Sequence, residues 1–168
     1  MKLAIREYLT PQGKNPFREW LKTLDMGVQA RIQARVLRFE NGDLGDHKSV
    51  SGGVWETRKT LGRRNMARRS KDWNAGLAQD LRDPEFAREF LLAAIEEGVS
   101  IQIALGKVIR AIGIKEFSAR IKIASPNILR AINPRHNPTQ ETLNRLLKPF
   151  RLKLSLAPIE QPKSRHAA

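Results

Sequence analysis

The sequence predicts a mainly α-helical chain, with a small incomplete α+β segment of order β-α-α-β ahead of the helical part. Three observations predict it. Apolar residues recur at helical spacing from residue 84 to 148, and the runs are bounded by Asp-Pro, Gly and Asn-Pro. An acid-free basic run, RKTLGRRNMARRSK at 58–71, separates that region from what precedes it. The first 58 residues show one alternating stretch, two amphipathic stretches and the start of another strand.

Taken in order, residues 2–9 alternate at Leu3 and Ile5, which suits a half-buried strand, and Pro11, Gly13 and Pro16 break it. Pro16 suits the first position of a helix running to about Leu24, with Phe17, Trp20, Leu21 and Leu24 on one face. A second helix is expected over 27–39, with Ile32, Val36 and Phe39 as its apolar stripe and Arg31, Arg35 and Arg38 opposite. Residues 41–53 hold four Gly and read as a loop, and 54–58 as the start of another strand. Such a piece buries little apolar surface by itself.

Residues 59–71 read as a basic linker, and 72–157 as a helical domain. Asp83 suits an N-cap with Pro84 first and Glu85 in the first turn. Phe86, Phe90, Leu91, Ala94 and Ile95 form that helix's apolar face, and Gly98 ends it. Residues 100–112 are apolar at Ile101, Leu105, Val108, Ile109 and Ile112, and Gly113 closes the helix. A short helix is expected over 115–121 and a turn at 122–124. Ser125 then caps a helix over 126–132, stopped by Asn133-Pro134. Asn137 is expected to cap a further helix with Pro138 first, running to about Lys148. The alternation RLKLSL at 151–156 predicts a strand, and 158–168 a disordered tail.

Composition bounds the function. The chain has 168 residues, 31 Lys+Arg against 17 Asp+Glu, and a net charge of +14. That excess predicts an acidic partner, most simply nucleic acid. The charge is uneven: residues 99–157 hold 11 basic and 2 acidic residues, whereas 66–98 hold 5 basic and 7 acidic. The absence of Cys excludes disulfides, thiolate metal sites and a cysteine nucleophile. Three scattered His, among them His47 and His136, form no metal-ligand set, and no cofactor is expected. The glycines at 42–53 lack the order of a phosphate loop. No 18-residue apolar stretch predicts a membrane span, and residues 1–5 lack a signal-peptide core, so the cytoplasm is the expected compartment.

Two short helices joined by a tight turn in a basic segment point to a helix-turn-helix. Phe117, Ile121, Ile128 and Leu129 fall where the pair would pack. Ser125, Asn127 and Arg130 fall on the free face of the second helix, where Asn can pair adenine and Arg guanine by two bonds each. Lys115, Arg120, Lys122 and Arg135 suit contacts to backbone phosphates.

Several stretches carry a resemblance: Asp72-Trp73, LRDP at 81–84, FLLAAIEEG at 90–98, ALGKVIRAIG at 104–113, NILRAI at 127–132 and NPTQETLNRLL at 137–147. In order and spacing they resemble the HigA-like addiction-module antidotes. The resemblance implies a five-helix lambda-repressor-like domain that dimerises, binds its own operator as double-stranded DNA, and neutralises a cognate RelE/HigB-type toxin. Lys122 stands where that family often has Gly.

The first 58 residues resemble the N-terminal part of RelE/HigB-type killer proteins, which cleave messenger RNA. The stretches are FREWLKTLD at 17–25, ARIQARVLRF at 30–39, NGDLGDHK at 41–48 and GVWETR at 53–58. The resemblance stops near Arg58, before the strands that carry most of that family's catalytic residues, so no catalytic residue is expected here. Met66 suits a start for a separate antidote. Two other readings stand beside the DNA-binding one. One is a ribonuclease using Arg31, Arg35, Arg58 and Lys59. The other is an interaction module in which the N-terminal part packs on the antidote-like region.

Overall fold

The computed structural model describes residues 3–43 and 70–156, with the backbone alone of 48–50 and 54–56. Most of the expected linker (59–69), the tail (158–168), His47, Arg58, Lys59 and Met66 lie outside the described residues. Those described are mainly helical: eight α-helices, a final 3-10 turn, and two separate two-stranded antiparallel sheets.

The order begins β1 (Arg6–Tyr8), α1 (Pro16–Leu21), α2 (Met26–Glu40), β2 (Lys48–Val50) and β3 (Val54–Glu56). The strand β2 falls where the glycine-rich loop was expected. It pairs with β3 in the register Lys48–Glu56, Ser49–Trp55, Val50–Val54. Next comes β4 (Ser70–Asp72), at the end of the basic run, which pairs with β1 as Arg6–Asp72, Glu7–Lys71 and Tyr8–Ser70.

Six helices follow: α3 (Trp73–Asp80), α4 (Pro84–Glu96), α5 (Ile101–Ile112), α6 (Ile114–Ile121), α7 (Ser125–Ala131) and α8 (Gln140–Leu147). The 3-10 turn Lys148–Phe150 closes the series. Local chemistry sets several ends. Asp83 caps α4 through Glu85 and Phe86 N–H, and Ser100 caps α5 through Ile103 N–H. Gly113, at φ 106°, lets the chain leave α5 and enter α6 without a break.

The apolar core is continuous from α2 to the 3-10 turn. Ala30, Ala34 and Leu37 of α2 share it with Trp73, Leu77, Phe90, Leu91, Leu105, Ile109, Phe117, Ile128 and Leu146. The α2 helix packs chiefly on α4. Its inward stripe is Ala30, Gln33, Ala34, Leu37 and Glu40; the expected stripe of Ile32, Val36 and Phe39 is only half-buried. Ala30 and Ala34 let two helix axes approach closely, and Gln33 and Glu40 face inward because Trp73, Asn74 and Lys107 bond them there. Trp20 is 51% and Ile95 48% exposed, against the expectation that both face inward.

Two polar networks cross this packing. The inward residue of β1 is Glu7, which meets Arg18 Nε at 2.8 Å and Asn15 Nδ2 at 2.5 Å. The same Arg18 reaches Asp80 at 2.6 Å and donates to the Trp73 carbonyl. Farther along, Lys107 pairs with Glu40 at 2.6 Å, bonds Asn74, and lies 5.4 Å from the centre of the Trp73 ring. At the surface, Arg35 and Arg38 both pair with Glu97. Hydrogen bonding to Asp43, reinforced by the charges of Asp43 and Glu97, raises the Arg38 pKa above its ordinary value despite partial desolvation.

Residues 151–156 form no strand, contrary to their alternation. Leu152 and Leu154 pack against the core, and the Leu154 N–H donates to Asn144 Oδ1 at 2.7 Å in place of a ladder partner.

Candidate nucleic-acid interface

The α6–turn–α7 unit is fixed from both sides. Phe117 is fully buried, and its ring stacks on Phe150 with centroids 6.0 Å apart. Ile128 and Ala131 hold α7 to the core, and Ile121 and Ile123 are partly buried beside them. Leu129 departs from the expected packing set: it is 45% exposed, so the free face of α7 is Pro126, Asn127, Leu129 and Arg130.

Between the helices, Lys122 adopts the left-handed conformation at φ 54°, ψ 43°. Its N–H donates to the Ser118 carbonyl, and the Ser118 hydroxyl donates to the Ile123 carbonyl at 2.6 Å. These bonds satisfy groups that the end of α6 would otherwise leave open. The cap of α7 is Ala124, whose carbonyl accepts from Asn127 and Ile128 N–H. Ser125 is therefore the first helical residue and not the side-chain cap the sequence predicted, because Pro126 fits the second position as well as the first. Likewise α8 is capped by Thr139, through Thr142 N–H, and not by Asn137.

A groove of about 350 Å³ runs between α7 and the start of α8. Its polar lining includes Asn127, Arg130, His136, Asn137 and Arg145 and contains no carboxylate. Gln102 of α5 holds the groove's far side: its Nε2 lies 3.0 Å from the carbonyls of Ala131, Asn133 and His136. A second depression, about 380 Å³, is lined by Arg120, Ile121, Lys122, Arg145, Lys148 and Pro149.

The structure thus brings Asn127 and Arg130 into one groove, and Arg120 and Lys122 into one depression. Ser125 is half-buried at the start of α7 and lines neither. Lys115 is exposed in the first turn of α6, and Arg135 is exposed on the α7–α8 connection; both lie outside the two concavities. Sequence reasoning missed Gln102, Arg145 and Lys148. For Arg145 and Lys148 a signal existed, since both are cations in or just after a helix that must pack beside the helix-turn-helix.

Arg18, Arg35, Arg38 and Lys107 are tied to carboxylates within the fold. Lys115, Arg120, Lys122, Arg130, Arg135, Arg145 and Lys148 make no ion pair among the described residues. Of the ribonuclease candidates, Arg35 is paired with Glu97 and Arg31 is an exposed helix residue. Among the described residues no group of His, Asp and Glu could hold a metal ion, and no helix is long and apolar enough to cross a membrane.

No family model, curated protein or solved structure matches the chain.

Proposed function

We propose that the chain is a sequence-specific DNA-binding protein of the HigA-like antitoxin-repressor type, joined to a truncated RelE/HigB-like segment. The observation that carries this reading is the gathering of cations around the α6–α8 concavities, which no carboxylate lines. Seven cations on and around α6–α8 are left without carboxylate partners, beside a free helix face that presents Asn127 and Arg130. Here α4–α8 serve as the five-helix lambda-repressor-like unit, with α6 and α7 as its helix-turn-helix. Helix α7 enters the major groove of double-stranded DNA, Ser125, Asn127 and Arg130 meet base edges, and Lys115, Arg120, Lys122 and Arg135 hold phosphates.

The protein acts as a homodimer on two half-sites of its own operator, roughly one helical turn apart. It needs no cofactor, works in the cytoplasm, performs no catalysis, and takes a cognate RelE/HigB-type toxin as its protein partner. A gel shift of the full chain with its own upstream DNA tests the reading. A shift that survives random competitor and weakens steeply with salt is expected. A complex equally sensitive to any competitor DNA would overturn sequence-specific recognition.

A further inference from the structure

We propose that the depression between the end of α6 and the end of α8 is a phosphodiester-binding site, and that Arg145 connects it to the α7–α8 groove. The natural ligand rests on the DNA-binding reading above; the site itself rests on its own chemistry. Four cations line the depression: Arg120 and Lys122 from α6 and its turn, and Arg145 and Lys148 from α8 and its end. No carboxylate lines it, and none of the four is ion-paired among the described residues. Like charges gathered on one concave surface repel, and a bound anion relieves that repulsion.

The two cation-bearing segments are held at a set separation. Phe117 of α6 stacks on Phe150, two residues after Lys148, and both rings are buried. Two arginines supply planar forks that match phosphate oxygens, and two lysines supply point charges. Arg145 also lines the groove that holds Asn127 and Arg130. It therefore sits between the surface assigned to bases and the surface assigned to backbone. In this arrangement Arg145 is a positioning residue that sets where the strand runs relative to α7.

The test uses the full chain and the variants Arg145→Gln, Lys148→Gln and Arg145→Lys, each checked for unchanged thermal unfolding. Fluorescence anisotropy with the upstream duplex and a random duplex is read across a salt series. Lys148→Gln is expected to lower the salt slope by about 1 with an unchanged specific-to-random ratio. Arg145→Gln is expected to lower both the slope and the ratio, with Arg145→Lys restoring the slope alone. Unchanged slopes in both Gln variants, with wild-type binding intact, would overturn the site and leave the DNA-binding reading standing. If the wild-type chain binds no duplex, that reading fails, and the site is judged with inorganic triphosphate by NMR. Shifts at the Arg120 and Arg145 side chains that weaken in Lys148→Gln support it; no shift at either side chain overturns it.

Discussion

The Trp73 indole N–H donates to Gln33 Oε1 at 2.5 Å, and both residues are fully buried. This bond joins α2 to α3 across a sequence separation of 40 residues. The α2 helix and the helices that follow the 58–71 run therefore share one core, and a polar bond fixes their register inside it.

Trp73→Phe removes the donor and leaves a buried amide oxygen unpaired. A loss of about 1–3 kcal/mol is expected, read as a lower midpoint in urea or thermal unfolding. Gln33→Met combined with Trp73→Phe removes both partners, and with them the Gln33 Nε2 bond to Asp80 at 3.3 Å, and should cost less than the sum of the two single changes. A double variant that is worse by the full sum would contradict the role given to this bond.

Gly76 lies directly beneath the Arg18 guanidinium, and a Cβ there would collide with it. Gly76→Ala should push Arg18 away from Asp80 and Glu7, and Glu7 is only 6% exposed. Helix propensity alone favours Ala by about 1 kcal/mol, so the sign of the effect decides between the two forces. Destabilisation by about 1–3 kcal/mol is expected, because a buried carboxylate loses its partner. A stabilised variant would show that Arg18 moves without cost.

A chain beginning at Met66 lacks β1, α1 and α2. It uncovers Trp73 and the face of α4 against α2, and it leaves Asp80, Glu97 and Lys107 without their partners. Residues 66–168 alone are expected to unfold at lower temperature and to expose apolar surface to a fluorescent dye. Cooperative unfolding at the full chain's midpoint would show the N-terminal helices to be dispensable.

Much of the helical part was legible because its ends are written in local chemistry. Asp83-Pro84, Ser100 and Gly113 each have a side chain or backbone freedom that only an end requires. Trp73–Asp80 was not legible as a helix: WNAGLAQD has weak periodicity, and its ordering comes from Gln33, Arg18 and Lys107 far away in sequence. The β1–β4 pairing is equally non-local and only three residues long. The alternation at 151–156 misled for the converse reason, since a strand pattern without a partner strand has no ladder to join.

The free face of α7 was read for Asn127 and Arg130 from helical spacing. The groove they share with residues of α8 depends on how α8 returns, which no local pattern encodes. The misplaced caps at Ser125 and Asn137 have different causes: Pro126 fits the second helical position as well as the first, whereas Pro138 lies ahead of the α8 cap, where the Thr139 hydroxyl takes the Thr142 N–H.

Lys122 holds a left-handed conformation that costs a non-glycine residue about 1 kcal/mol. Lys122→Gly should therefore raise stability by about that amount. The same change removes a cation from the depression, so DNA affinity should fall while thermal stability rises. Stability and affinity falling together would mean that the lysine side chain supports the turn itself.

The most direct test of the central claim is the ratio of affinities for the upstream duplex and a random duplex, measured for the full chain, Asn127→Ala and Arg130→Ala. Each substitution is expected to cost about 1–3 kcal/mol on the upstream duplex and much less on the random one, so the ratio collapses while weak binding persists. Equal losses on both duplexes, or a ratio near one in the unaltered chain, would contradict base recognition by α7.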